Sequence, residues 1–396
     1  MTLADRWLLP DGIEEVLPPR AQQIEHLRRH LLDQMDNWGY QLVIPPALEY
    51  LEALLTGTGK DLDLRTFKVT DQISGRMLGL SADTTSQVAR IDAHSMKPEG
   101  IGRFCYCRTV FHTRARSLLA SRTPTQIGAE LFGTGGVAAD VELISLMIST
   151  LEASQLQDIH LDMGNVAIYK ILVEAAGLTD AQQLELSDLM SLKCLSDIEQ
   201  WTADKVADET LRKAFNLLIR LQGSAAQIQS VSDQLNALVP ACEPELKHLM
   251  DVANAVTQRY SSLPINFDLT ELRGYAYHTG LVFAAYVPGY GDAVAAGGRY
   301  DETGAEFGRE GRPARGFSAD LKVLAQLGSF APATKTTVLA PLSDEDSAGL
   351  WQAINDLRAS GKRVVQGEDD SSEAEFRLER TNSQWQLVKN EQNQAS

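Results

Sequence analysis

Residues 103–133 read RFCYCRTVFHTRARSLLASRTPTQIGAELFG, and this stretch decides the fold. Arg103 to His112 is rich in aromatic and β-branched residues, which suit a pleated, half-buried surface. Thr113 to Thr125 is polar and basic, and Gln126 to Gly133 reads as a second strand. The unit is therefore strand, long loop, strand. Gln126 and Glu130 are four residues apart, hence on one face of that second strand, and are bracketed by Ile127, Leu131 and Phe132. Two readings account for a carboxylate and an amide there. One is a solvent-facing sheet edge; the other is a small polar pocket suited to an ammonium or imidazole group.

Outward from this unit the same kinds of signal continue. After Pro18 and Pro19, the spacing of Ile24, Leu27, Leu31 and Met35 predicts a helix that stops before Gly39. Gln41 to Ile44 is a short β-prone run, and Arg65–Val69 with Arg76–Leu80 flank a Ser74-Gly75 turn as a hairpin. Thr84 to His94 suits a short helix and Val137 to Leu151 a longer one packed on a sheet, followed by a strand over Asp158–Met163. From 166 to 261 the pattern turns to helical spacing with little strand character, an insertion of about a hundred residues. Strands return at Ile265–Asp268, His278–Tyr286 and Asp292–Ala296, then Gly297 and Gly298, then a helix from about Ser318 to Leu327. A Pro, Ala and Thr linker at Ala331–Lys335 separates a last β-α-β unit with two further short strands. The fold class is α+β: an antiparallel sheet flanked by helices in residues 1–330, and a small C-terminal α/β module in 331–396.

Composition narrows the function. The chain has 396 residues, 44% of them hydrophobic, and no eighteen-residue apolar run, so no membrane span is expected. Lys plus Arg number 36 against 53 Asp plus Glu, a formal net of −17, which argues against general binding of nucleic acid. Four cysteines make no disulfide framework and the N-terminus lacks a signal-peptide pattern, so a cytoplasmic location with reduced thiols is expected. Cys105-x-Cys107 has no second thiol pair or paired histidine at ligand spacing, and neither Gly57-Thr58-Gly59-Lys60 nor Gly133-Thr134-Gly135-Gly136 has phosphate-loop spacing. No metal and no cofactor is expected. Arg273-Gly274-Tyr275-Ala276-Tyr277-His278-Thr279-Gly280 packs a cation, two phenols and an imidazole into eight residues, which favours a ligand site over structural filler.

Together these segments resemble the class II histidyl-tRNA synthetase core across roughly residues 5 to 330. Leu80-Ser81-Ala82-Asp83-Thr84-Thr85 resembles that family's L-R-P-E-G-T segment, and 103–133 its motif 2 hairpin. Leu272 to Phe283 is similar to the histidine-specific R-G-L-D-Y-Y segment, and Gly297-Gly298-Arg299-Tyr300-Asp301 matches the G-G-R-Y-D before motif 3. The resemblance implies a histidine pocket at Asp83, Thr85, Gln126, Glu130, Arg273, Tyr277 and His278, with the ligand's α-ammonium near Asp83, Gln126 and Glu130. Its carboxylate would then lie near Arg273 and its imidazole against Tyr277 and His278.

The departures concern ATP. His112 stands where motif 2 has an Arg on the α-phosphate, and Val323 where motif 3 has an Arg over the adenine and γ-phosphate, with Asp320 in place of a Gly. Losing fixed cations removes stabilisation of the negatively charged phosphate in the transition state, on the order of several kcal/mol. Retained histidine recognition without ATP chemistry is similar to the family of ATP phosphoribosyltransferase regulatory subunits. That resemblance implies a non-catalytic chain that activates a short-form catalytic subunit in the first step of histidine synthesis and carries feedback inhibition by L-histidine. It also implies a homodimer within a larger hetero-oligomer, a hetero-octamer, formed through the motif 1 region around Gln41 to Leu55. The loop Thr113–Thr125, with Arg114, Arg116 and Arg122, is the expected moving lid, the alternative being that its basic residues face the catalytic partner. The rival reading is an active histidyl-adenylate-forming enzyme, against which Val323 counts.

Overall fold

The computed structural model describes residues 7–56, 60–96, 99–115, 120–272, 277–307, 311–332, 334–342, 346–367 and 374–390. The chain divides into two compact units, Met1–Phe330 and Ala331–Ser396. In the first, α1 (Arg20–Asn37) buries Leu27, Leu31 and Met35, the stripe that its three- and four-residue spacing foretold. Fully burying each such side chain stabilises by about 1.5–3 kcal/mol. β1 (Gln41–Leu42), β2 (Leu48–Tyr50), α2 (Leu51–Leu54), α3 (Lys60–Arg65), β3 (Lys68–Thr70) and β4 (Met77–Leu80) follow. The expected hairpin exists as β3 and β4, and β2 joins it in a small antiparallel sheet that the sequence reading did not include. Arg65 ends α3 rather than beginning a strand.

α4 (Thr85–Arg90) runs into a π-helical turn at Ile91–Met96. β5 (Gly102–Thr109) and β6 (Thr125–Phe132) pair antiparallel along their length, as read from 103–133. α5 (Val137–Ala153) packs behind them and β7 (His160–Asn165) rejoins the sheet. The helical insertion comprises α6 (Val166–Ala175), α7 (Asp180–Leu192), α8 (Leu195–Lys205), α9 (Glu209–Leu218), the two-residue β8 (Gln222–Gly223), α10 (Ala225–Leu238) and α11 (Glu243–Arg259). Several of its helices start at side chains suited to free backbone amides: Asn165 accepts from Ala167, Thr179 forms a capping box with Gln182, and Asp208 caps α9. Its buried Leu186, Ile198, Phe215 and Leu235 belong to one continuous core with Ile127, Leu131 and Ile144.

β9 (Ile265–Asp268), β10 (Leu281–Tyr286), β11 (Ala295–Arg299), α12 (Thr303–Glu306), β12 (Ala314–Asp320) and α13 (Leu321–Leu327) complete the unit. Three expectations are corrected. β10 begins at Leu281, not His278; the Gly297-Gly298 pair lies within β11 rather than after it; and residues 314–320 are a strand, so the helix expected from Ser318 starts only at Leu321. Glycine content hid both strands, because small residues give no apolar alternation. The order of the main sheet is β1-β5-β6-β12-β11-β10-β7-β9-β8, antiparallel except for the pairs β1–β5 and β7–β9.

One face of that sheet carries Ile127, Ala129 and Leu131 against the main core, and the other carries Phe104, Tyr106 and Phe132 against Val88 and Ala89 of α4. The second unit has its own core of Val338, Ala340, Leu350, Ile354, Val364 and Leu378. It is built from β13 (Thr337–Ala340), α14 (Ser347–Ala359), β14 (Arg363–Gln366), β15 (Phe376–Thr381) and β16 (Gln384–Lys389), in sheet order β14-β13-β15-β16.

Candidate functional site

The α4 face of the sheet holds the site. On β6 the alternation of side chains sends Gln126, Gly128, Glu130 and Phe132 to that face, and the register sets Gln126 opposite Asp320 and Glu130 opposite Gly316 of β12. On the other side of β6, Tyr106 stands opposite Gly128 and Phe104 opposite Glu130. The glycines make the arrangement possible. A Cβ at position 128 would collide with the Tyr106 ring and hydroxyl, and one at 316 with the Glu130 carboxyl. Without them the phenol could not lie flat across the sheet to reach Glu130.

Glu130 is fully buried. Tyr106 Oη donates to Glu130 Oε1 at 3.0 Å, and the Tyr300 hydroxyl donates to Oε2. Burial, offset in part by these hydrogen bonds, pushes the Glu130 carboxyl up to about 8, so it is mainly protonated at neutral pH. Thr85 Oγ1 lies 3.5 Å from Tyr106 Oη. The Tyr300 ring stacks on Tyr277 with centroids 5.1 Å apart, and Tyr277 meets His278 edge to face at 5.5 Å. Burial holds the His278 imidazole down to about 4, leaving it neutral.

Nearer the surface, Gln126 Nε2 donates to Asp83 Oδ1 at 2.7 Å, and the Thr84 amide donates to both Asp83 Oδ1 and Gln126 Oε1 at 2.9 Å. The sequence-expected residues thus fall in two adjoining groups. Asp83 and Gln126 form the half-buried outer one; Glu130, Thr85, Tyr277 and His278 surround the inner one. Arg273 lies outside the described residues, as do residues 116–119 of the loop expected as a lid, including Arg116.

Tyr106 and Tyr300 were missed as site residues. Tyr300 stood in the quoted G-G-R-Y-D run and Tyr106 in the opening stretch, but only the strand register shows that both phenols reach one carboxyl. Asp301 holds this region together: it accepts from Arg299 Nε at 2.6 Å and from the Ala314 amide at 2.9 Å, while its own amide donates to Thr279 Oγ1 at 3.0 Å. Among the described residues, Tyr277 Oη and His278 Nδ1 are shielded from solvent without a hydrogen bond of normal geometry, the Thr303 hydroxyl lying beside Tyr277 and the Arg299 backbone beside His278. Such groups are costly unless a ligand or water satisfies them.

The positions that depart from the ATP pattern have structural partners. His112 is buried, with Nε2 2.9 Å from Ala82 O and 3.1 Å from Arg65 Nη2. Asp320 Oδ1 accepts from the Thr125 amide at 3.1 Å and the Lys322 amide at 3.0 Å, capping α13. Val323 packs half-buried against the main core. Arg122, a loop arginine, donates to His112 O at 3.1 Å and to Asp11 O at 3.0 Å, which ties it to the N-terminal segment.

On the opposite face a shallow groove of about 520 Å³ is lined by Trp38, Arg103, Glu142 and Arg259 among others, away from Glu130. Also behind the sheet, Arg315 and Asp140 form a buried pair at 3.0 Å, with His248 Nε2 2.6 Å from the same carboxyl.

Comparison with known proteins places the chain among relatives of one family and one fold. A family model described as histidyl-tRNA synthetase matches residues 12–324, and one described as the ATP phosphoribosyltransferase subunit HisZ C-terminal domain matches residues 335–388. The chain is 48% identical over 395 residues to an ATP phosphoribosyltransferase regulatory subunit of Pseudomonas aeruginosa (strain LESB58), covering 98% of this chain and 99% of the relative. It is 50% identical over 366 residues to one of Chromohalobacter salexigens, covering 92% of each. Among solved structures, an ATP phosphoribosyltransferase regulatory subunit/histidyl-tRNA synthetase from Bacillus halodurans C superposes with a TM-score of 0.80 at 24% identity, covering 92% of this chain and 95% of that one. Histidyl-tRNA synthetase from Nostoc sp. PCC 7120 superposes with a TM-score of 0.75 at 17% identity, covering 94% and 91%. At these identities the structural likeness establishes the class II synthetase-like fold.

Proposed function

This chain belongs to the family of ATP phosphoribosyltransferase regulatory subunits, and we propose that it acts as one, without catalysis of its own. It binds the short-form catalytic subunit of ATP phosphoribosyltransferase, activates it in the first step of histidine biosynthesis and transmits feedback inhibition by histidine. The working assembly is a homodimer of this chain inside a cytoplasmic hetero-octamer. Residues 1–330 form the histidine-binding domain and 331–396 a separate C-terminal domain.

The observation that supports this reading is a buried polar cluster around Glu130 beside ATP-pattern positions committed to structural contacts. Gln126, Asp83, Glu130 and their phenol partners form a site of the right chemistry for an amino acid bearing an aromatic nitrogen ring. Free histidine fits with its α-ammonium among Asp83, Gln126 and Glu130, its carboxylate toward Arg273, and its imidazole against Tyr277 and His278. By linkage, histidine inhibits only to the extent that it binds the inhibited arrangement of the complex more tightly than the active one. His112, Asp320 and Val323 supply no mobile cation for a triphosphate, which disfavours the adenylate-forming alternative.

Co-purification with the short-form catalytic subunit, followed by an activity assay with and without added histidine, tests the proposal. Association, activation and histidine-dependent inhibition are expected. Failure to associate or to activate overturns it.

A further inference from the structure

We propose that the pocket takes up histidine with release of a proton: Glu130, enclosed by Tyr106 and Tyr300, is protonated while the pocket is empty and gives up that proton when the ligand's ammonium is brought against it. This rests on the histidine-binding reading above.

The geometry supplies the reason. Glu130 has no exposed surface, and among the described residues no Lys, Arg or His lies within ion-pair distance of it. The groups that face it are Tyr106 from β5, Thr85 from α4 with the acidic Asp83 just before it, Tyr300 directly after β11, and Tyr277 from the segment before β10, with His278 edge to face against Tyr277. β12 contributes Gly316, which has no charge. Among the described residues, a carboxylate in these surroundings has a negative neighbour and no cation within ion-pair distance, and burying an unpaired charge costs several kcal/mol or more, about the range in which a group neutralises instead.

Both protonation states can be hydrogen-bonded without moving heavy atoms. When Glu130 is ionised, Tyr106 and Tyr300 both donate to it. When it is neutral, its own hydroxyl donates to Tyr106 Oη, and Tyr106 turns its proton toward Thr85 Oγ1, 3.5 Å away. The change that selects between them is the charge of the occupant. An ammonium makes an ion pair with the carboxylate, and the displaced proton passes to solvent. Affinity for an ammonium-bearing ligand therefore rises about tenfold per pH unit where Glu130 is protonated in the empty pocket, and levels off above that range. The upward displacement of the Glu130 carboxyl to about 8 puts the transition within reach of experiment.

Titration calorimetry of the full chain with L-histidine near neutral pH, in two buffers of different ionisation heat, measures the proton directly. For the wild type the observed heat is expected to change with the buffer by nearly one released proton. For Glu130→Gln the released proton disappears, while the ligand's own ionisations are common to both proteins and cancel. A second probe keeps the test decisive if that variant fails to fold. Imidazolepropionic acid, which lacks the ammonium, is expected to bind the wild type with about one proton less released than histidine, once the ionisation of each ligand's own imidazole is subtracted. Histidine binding with no proton release from the wild type overturns proton coupling and leaves the histidine reading standing. Equal proton release with the ammonium-free analogue, after the same subtraction, also overturns it. Absence of any histidine binding overturns both.

Discussion

Gly316 on β12 stands directly across from Glu130 on β6, and the space that a Cβ at 316 would fill is taken by the Glu130 carboxyl. The pocket's buried acid thus exists because the neighbouring strand carries no side chain there. Gly316→Ala is expected to displace the carboxyl from its two phenols and to abolish histidine binding. Overpacking at a buried position destabilises by about 1–3 kcal/mol, so most molecules should stay folded. Calorimetric titration with histidine, beside a thermal unfolding curve, checks this; near-normal affinity in the variant would refute the crowding argument.

Glu130→Ala removes the acid outright. Both phenols then lose their acceptor, and loss of a hydrogen-bonded charged contact to the ligand weakens binding by about 1.5–3 kcal/mol, roughly tenfold to a hundredfold. Unchanged histidine affinity would remove Glu130 from the site.

The same carboxyl sets a pH dependence of stability. Its folded value is raised to about 8 from an ordinary 4.5, so between these two values the folded state holds a proton that the unfolded chain has released. The stabilising contribution is full below the unfolded value and is lost as pH rises toward the folded one. Across about pH 5 to pH 8, wild type should therefore lose stability relative to Glu130→Gln. Urea unfolding midpoints of the two proteins at several pH values measure the difference; parallel profiles would contradict it.

Behind β12, the Arg315–Asp140 pair has side chains only 2% exposed on each partner. Arg315→Met leaves the Asp140 carboxyl with His248 as its remaining close partner among the described residues and should cost about 3–5 kcal/mol, whereas replacing both partners with apolar residues should recover much of that loss. Chemical denaturation of the single and double variants distinguishes the two cases. A negligible effect of the single change would mean that His248 suffices.

ATP–pyrophosphate exchange in the presence of histidine should stay at background. His112 is hydrogen-bonded to Ala82 O, and Asp320 caps α13 through the Lys322 amide. Exchange clearly above background would favour the adenylate-forming alternative. Asp320→Ala should cost about 0.5–2 kcal/mol through the lost cap, read as a lower unfolding midpoint, and should bring no exchange.

Much of the fold was legible in local pattern. The strand, loop, strand unit of 103–133 appears as β5 and β6, and the apolar stripe of α1 as Leu27, Leu31 and Met35. What escaped was written in glycine. β12 and the end of β11 carry Gly316, Gly297 and Gly298, whose role is to leave room, and the absence of a side chain produces no hydrophobic period. β2 escaped for a different reason, since a three-residue edge strand is too short to show alternation.

The sequence by itself determined that Gln126 and Glu130 share a face, because side chains alternate along any strand. It also determined that His112 and Val323 replace two cations of the resembled ATP site, because residue identity settles charge. Only the tertiary structure decided which face of the sheet was polar pocket rather than solvent edge, and that Glu130 is sealed by Tyr106 and Tyr300 while Gln126 pairs with Asp83 near the surface. Those contacts join residues up to 170 positions apart. Strand register and burial, which local periodicity does not encode, bring them together and give one carboxyl a protonation state its sequence neighbours could not reveal.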